Sequence, residues 1–401
     1  MRVRTKRLLL SCALISFVVM VVIVISVGPI SLLIFPPSVV TSHSQVVVQH
    51  GVASLQKEED RTTKPLRVLS IDMFSDAAIG IYLWEHIFRG KLTSKLEGRL
   101  LYGFLQHGST NWRFRTGPAV TPEAENAFAD ARDVVLVLNG RTDEKVARSR
   151  RWLEAVPTAT SVRNVAVILL GNEQCENEWL LWYLESPKYL IRAVFVVYDS
   201  KMVDNKRVFQ WPLGVATYRG FPTVELSEDE LQASRPYQCH FMGTVYQNNS
   251  RLNLMRVLAS PVFQEKCYIK ARYEWPEKET EASAQEYVTS LRETDMVLSP
   301  LGMNAECYRI YEALAMGALP VIEDQRSPGS CDVPYRLLKE HNVPALFVSD
   351  WDELPTLFEY LSSLSQTEIV DQRRKLVQWY HMFLEKMRDK LVSVVSDNFI
   401  H

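Results

Sequence analysis

DMVLSPLGMNAECYRIYEALAMGALPVIED, residues 295–324, decides how this chain reads. Residues 296–299 are a short apolar run ending at Pro300 and Gly302, the pattern of a buried strand followed by a turn. Asn304 is placed to cap a helix running to about Met316, with Glu306 in the first turn, where the helix dipole favours an acid. Gly317 is placed to end that helix, and Pro320 blocks its continuation. Residues 319–322 then read as the next buried strand. Arg309 and Glu312 lie three apart and share one helix face. A guanidinium can grip a diphosphate, and a carboxylate can accept both hydroxyls of a ribose. The turn 301–304, with Gly302 and Asn304, would add backbone N–H groups at a helix N-terminus. These residues predict a site for a nucleotide-linked sugar. Ordinary α/β packing around an internal Arg–Glu pair is the other reading of the same unit.

Working outward, the same alternation of β-branched runs and helical stretches extends along most of the chain. Candidate strands at 67–71, 134–138, 165–170 and 194–198 each end in a polar or Gly-containing turn. A second set follows at 240–245, 267–270, 296–299, 319–322 and 346–348. The pattern predicts an α/β fold of two Rossmann-like halves, with helices on the faces of parallel sheets. The halves fall at 66–225 and 226–350, and the Pro- and Trp-containing segment 210–236 is the crossing between them. A helical segment, 351–401, closes the chain, with a long amphipathic helix over about 367–393.

Ligands in such folds sit beyond the carboxyl ends of the strands, in the cleft between halves. That rule selects the remaining candidates. Gly243 and Thr244 follow the first strand of the second half, and Arg272 with Tyr273 follow the next, where they would flank a nucleotide base. A general base is expected from the first half, with Glu173 the first choice and Asp199 the second. Asp199 has the alternative of closing an Asx turn. Glu85 and His86 rank below both because their surroundings are helical and aromatic. Arg141, Arg113 and Arg115 follow a strand or precede a Gly turn and are candidates for an anionic acceptor, and Arg219 would lie at the crossing.

The composition is that of a globular chain, with 47% hydrophobic residues and a net charge of −2, and it has no basic excess that would suggest nucleic acid. Arg2, Arg4, Lys6 and Arg7 precede an apolar run from Leu8 to Val27 that continues to Phe35. This predicts a cytoplasmic tail (1–7), a transmembrane anchor (8–35) and a lumenal body. A cleaved signal peptide is the alternative. Residues 36–65 are polar and read as a stem. Beyond Cys12, five cysteines remain, so at least one is unpaired within the chain. Proximity in sequence suggests Cys239 with Cys267 and Cys307 with Cys331. Asn248 opens an N-glycosylation sequon. There is no metal-binding acidic pair between two strands, which argues for chemistry in which helix dipoles and basic side chains take up diphosphate charge.

The run from Arg309 through ALAMGALPVI resembles the donor block of the exostosin-like GT-B glycosyltransferases. The chain after about residue 65 resembles, block by block, the xylosyltransferases that act on ribitol phosphate. AAIGIYLWEHIF (77–88), VVLVLNGR (134–141), VAVILLGNEQCENEW (165–179), FQWPLGVATYRGFP (209–222) and RPYQCHFMGTVYQNNSR (235–251) carry the likeness, in that order. The resemblance implies a Golgi membrane enzyme of type II topology. It implies transfer of xylose from UDP-xylose to ribitol-5-phosphate on the O-mannosyl glycan of α-dystroglycan, with inversion, alongside other transferases of that pathway. No cofactor is implied, and dependence on a divalent cation stays open. A transferase using another UDP-sugar and a non-catalytic scaffold for other glycosyltransferases are the rival readings.

Overall fold

The computed structural model describes residues 68–123, 127–247, 249–274, 279–326, 329 and 331–399. The expected tail, anchor and stem, and the sequon residue Asn248, lie outside them. Among the described residues no helix is long and apolar enough to cross a membrane.

The first sheet has eight strands: β1 (Leu69–Ser75), β2 (Thr93–Lys95), β3 (Leu100–His107), β4 (Thr110–Thr116), β5 (Asp133–Asn139), β6 (Asn164–Leu170), β7 (Ile191–Val197) and β8 (Val208–Trp211). Their order is β2-β3-β4-β1-β5-β6-β7-β8. From β4 to β8 all neighbours are parallel, whereas β2, β3 and β4 pair antiparallel. β5 and β6 are buried almost end to end. Strands covered on both faces need continuous apolar runs, and residues 134–138 and 165–170 supply them.

The second sheet has five parallel strands, β9 (Tyr237–Thr244), β10 (Cys267–Arg272), β11 (Thr294–Ser299), β12 (Leu319–Glu323) and β13 (Leu346–Val348), in the order β10-β9-β11-β12-β13. Two parallel α/β sheets are therefore present, as the patterning predicts. The differences are instructive. The first strand begins two residues later than expected and runs to Ser75, and the antiparallel β2–β4 extension was not anticipated. Residues 210 and 211, read as the start of the crossing, instead complete the edge strand β8.

The long C-terminal helix, Gln366–Phe399, packs on both halves. It touches the helix Tyr308–Ala315 of the second half and β7 of the first. Its end is held where Asn164 Nδ2 donates to the Phe399 carbonyl at 3.2 Å. Arg373, 2% exposed, anchors its start through Asp295 and the carbonyls of Leu231 and Ala233. A buried arginine is tolerated only when its donors are matched this fully.

The cysteines pair as Cys239–Cys267 and Cys175–Cys331, leaving Cys307 free. The expected Cys307–Cys331 pair is corrected: Cys331 reaches instead to the first half, across 156 residues of sequence.

Candidate active site

A cavity of about 380 Å³ opens between the two sheets. Its second-half wall is built on the unit 295–324. The helix there runs only over Tyr308–Ala315, with Cys307 at its N-cap and no side-chain cap. Asn304 is thus not a helix cap. Its Oδ1 accepts from the N–H of Glu306 at 2.8 Å, while its Nδ2 donates to the Glu173 carbonyl at 2.8 Å. The segment before the helix spans toward the first half, and a helix begun at Asn304 could not make that contact. Gly317 ends the helix at φ +60°, a conformation that costs glycine little. The turn supplies fewer free donors than expected. The Leu301 N–H is taken by Glu323 and the Gly302 N–H by the Asn304 carbonyl.

Two arginines take over that role. Arg309 lines the cavity, with Nη2 donating to the Met242 carbonyl at 3.1 Å and its guanidinium over Phe241. Arg251, not singled out from the sequence, is only 8% exposed and lines the same wall. Its Nε and Nη1 donate to the carbonyls of Leu301 (3.0 Å) and Thr244 (2.5 Å). Burial, then the neighbouring Arg309 charge, lowers its pKa to about 10. Among the described residues neither guanidinium pairs with a carboxylate. Two guanidiniums on one cavity wall, neither in a salt bridge among the described residues, suit a multiply charged anion. Gly243 and Gly302 make room for them: a Cβ at either would stand 2.9 Å from Arg309 Nη2 or 3.1 Å from Arg251 Nη2. The Thr244 hydroxyl lines the cavity, buried, with no partner among the described residues.

Glu312, 3% exposed, does lie on this wall, with both oxygens engaged. One accepts from the Ala216 N–H at 3.0 Å and the other from the Tyr287 hydroxyl at 2.5 Å. Burial raises its pKa, against the lowering effect of Tyr287, Ala216, Arg309 and Arg219. Glu306, also buried, accepts from the Leu213 N–H at 3.1 Å and from the Tyr311 hydroxyl. Burial pushes its pKa to about 7. These two carboxylates fasten the connection after β8 to the second half. Arg272 lines the cavity and pairs with Glu279 at 2.8 Å, whereas Tyr273 is 71% exposed and does not line it.

The facing wall comes from the first half. Glu173 and Arg141 both line the cavity and pair at 3.4 Å. Arg141 also donates to the Tyr198 hydroxyl and lies over Tyr308, which belongs to the second half. The guanidinium therefore bridges the cleft and orients the Glu173 carboxylate.

Other candidates do not join this site. Asp199 is 4% exposed, does not line the cavity, and is bound by Arg336 and the Val333 N–H. It is a tie between halves, because a carboxylate ending β7 satisfies the incoming backbone there. Arg113 and Arg115 both pair with buried Asp72 and open onto a separate cavity beside Trp152. Register explains this: Arg113 lies opposite Asp72 within the β1–β4 pair, at mid-strand and not at the cleft. His86 is buried, which lowers its pKa to about 4, and packs on Tyr82. Among the described residues no cluster of His, Cys, Asp or Glu could hold a metal ion.

Two α/β halves, with two guanidiniums on one cavity wall that form no salt bridge among the described residues and a carboxylate on the other, suit group transfer with an anionic leaving group. The family model described as RXYLT1 N-terminal domain matches residues 71–212, and that described as RXYLT1 C-terminal domain matches 218–400. The ribitol-5-phosphate xylosyltransferase 1 of Danio rerio is 41% identical over 367 residues, covering 89% of this chain and 84% of the relative. That of Homo sapiens is 38% identical over 363 residues, covering 88% and 82%. The chain belongs to this family. Among solved structures, an alpha-glucosyltransferase in complex with UDP and DNA superposes with a TM-score of 0.46 at 11% identity, over 82% of this chain and 100% of that one. A GtfA/B complex gives 0.41 at 12%, over 66% and 58%.

Proposed function

We propose that this chain transfers xylose from UDP-xylose to ribitol-5-phosphate, with inversion, in the cleft between its two α/β halves. Family membership supports the reaction, since the relatives are named for it. The observation that carries its placement is the Arg251–Arg309 pair on the cavity wall: Arg251 is buried, Arg309 is half-buried, and neither forms a salt bridge among the described residues. As the bond to xylose breaks, negative charge grows on the departing UDP. Guanidiniums already in place stabilise it without reorganisation. The Thr244 hydroxyl adds a donor. Glu312 accepts the ribose hydroxyls, exchanging the Tyr287 contact for them. Glu173, on the opposite wall, takes the proton of the attacking ribitol hydroxyl, and Arg141 orients it and receives the acceptor phosphate.

In this reading the architecture is GT-B and no cofactor is required. The apolar N-terminal run anchors the chain in the Golgi membrane with a lumenal body, where the acceptor is the glycan of α-dystroglycan and other transferases of that pathway are neighbours. The two disulfides support an oxidising compartment. The test is incubation of the full chain with a synthetic ribitol-5-phosphate acceptor and a panel of UDP-sugars. Addition of one pentose from UDP-xylose alone is expected. Transfer from UDP-glucuronate or a UDP-N-acetylhexosamine in its place overturns the donor, and UDP binding without any transfer overturns the reaction.

A further inference from the structure

Beyond the phosphate and ribose groups, the same cavity is lined by a cluster that the reaction does not use. Glu279 Oε1 lies 2.8 Å from Arg272 Nη2 and 3.6 Å from Arg219 Nη1. The three residues come from separate segments: the connection between halves, the end of β10, and the position before the N-cap of the helix Glu281–Arg292. We propose that Arg219, Glu279 and Arg272 form a donor–acceptor–donor row that reads the uracil edge of the bound nucleotide. The proposal rests on the cleft being the nucleotide-sugar site.

Position supports it. Arg272 ends β10 opposite Thr244 of β9, so it stands on the same sheet rim as the phosphate-facing loop. Glu312, assigned to the ribose, feels the charge of Arg309 and of Arg219. Arg219, Glu279 and Arg272 thus line the same cavity as the ribose carboxylate and the phosphate-facing rim.

Chemistry supports it as well. Uracil presents a carbonyl, an N–H and a second carbonyl along one edge. A carboxylate flanked by two guanidiniums presents the complement. Cytosine would set a ring-nitrogen lone pair against Glu279 and an amino group against a guanidinium. Guanine would set a second donor against an arginine. Each mismatch leaves a charged group unpaired, which is how a polar site rejects a wrong ligand. A plain structural ion pair would need one arginine. Here two share one carboxylate, and the Arg272 Nε is buried with no partner among the described residues. The remaining Glu279 oxygen is fixed by the Ser283 hydroxyl at 2.9 Å, which holds the row in place.

The test is calorimetric binding of UDP, CDP, GDP and inorganic pyrophosphate to the full chain in detergent, for the wild type and Glu279→Gln. The wild type is expected to prefer UDP over CDP and GDP by about tenfold or more. Glu279→Gln should lose about tenfold in UDP affinity and narrow the UDP-to-CDP gap, because an amide N–H can face the cytosine nitrogen. Pyrophosphate binding should not change. An unchanged UDP-to-CDP ratio overturns the proposal, as does a parallel loss of UDP and pyrophosphate. If the variant fails to fold, Arg219→Gln serves in its place, with the same expectations for UDP and pyrophosphate. A wild type that binds neither nucleotide nor pyrophosphate fails the donor-site reading itself. One that binds all nucleotides equally fails only the base-reading row.

Discussion

Arg309 Nη2 stands 2.9 Å from the point a Cβ on Gly243 would occupy. The guanidinium reaches the cavity, and the Met242 carbonyl that holds it, only because that Cβ is missing. Gly243 has no positive φ, so alanine suits its backbone. Gly243→Ala should fold with a melting temperature near that of the wild type, since the obstructing atom ends a flexible side chain. UDP affinity should fall by roughly tenfold as Arg309 is displaced. Calorimetric titration of UDP checks this, and unaltered affinity would remove Arg309 from the diphosphate.

Arg251 should prove harder to replace. Arg251→Ala strips donors from the buried carbonyls of Thr244 and Leu301 as well as removing charge. It should lower stability by about 1–3 kcal/mol, and UDP affinity with it. Arg251→Lys keeps the cation but not the fork, so affinity should fall more than stability. Thermal melts beside UDP titrations separate the two effects. Equal UDP binding by all three proteins would leave Arg251 a purely structural residue.

Glu306 makes stability depend on pH. Burial raises its carboxyl from 4.5 to about 7, so the folded chain keeps a proton that the unfolded chain has released. The resulting cost to folding is absent below about 4.5 and complete above about 7, on the order of 3 kcal/mol. Glu306→Gln keeps one oxygen to accept from Leu213 and Tyr311, which share a single carboxylate oxygen. The variant should gain stability over the wild type as pH rises through that window. Denaturant unfolding at about pH 5 and about pH 8 measures it. Parallel pH profiles for the two proteins would mean the carboxyl titrates normally.

The Cys175–Cys331 bridge joins a first-half loop to the segment after β12. Non-reducing peptide mapping should find this bridge and Cys239–Cys267. Of the five cysteines after Cys12, only Cys307 should be open to alkylation. Because Cys307 lines the cavity, bound UDP should slow its labelling. Cys331→Ser should cost about 2–5 kcal/mol. A Cys307–Cys331 peptide would contradict the pairing.

What was legible in the sequence follows from what is local. β5, β6, β11 and β12 announce themselves as unbroken apolar runs, and the rule that ligands sit beyond parallel strand ends brought Arg309, Glu312, Gly243, Thr244, Arg272, Glu173 and Arg141 to one cavity. The same rule misplaced Asp199, whose strand-end position serves the Arg336 contact. Arg113 and Arg115 were drawn to the cleft by a following Gly turn, yet register sets them against Asp72. Arg251 could not be singled out, because its burial arises from the 301–304 turn folding over it, some fifty residues away. The β3–β4 hairpin is partly exposed, and its mixed polar and apolar residues look like a loop until its neighbours cover it. The Cys331 partner is long-range and leaves no spacing signal.

The central claim is that the cleft binds UDP-xylose on the Arg309 wall and activates the acceptor from the Glu173 wall. It is tested most directly by measuring, on the same full-chain preparations, UDP-xylose binding and pentose transfer to a ribitol-5-phosphate acceptor for wild type, Arg309→Ala and Glu173→Gln. Arg309→Ala should lose binding and with it 100-fold or more, roughly, in kcat/KM. Glu173→Gln should bind UDP-xylose as the wild type does and transfer none of it. A Glu173→Gln protein that still transfers xylose, or an Arg309→Ala protein with normal turnover, would contradict the account.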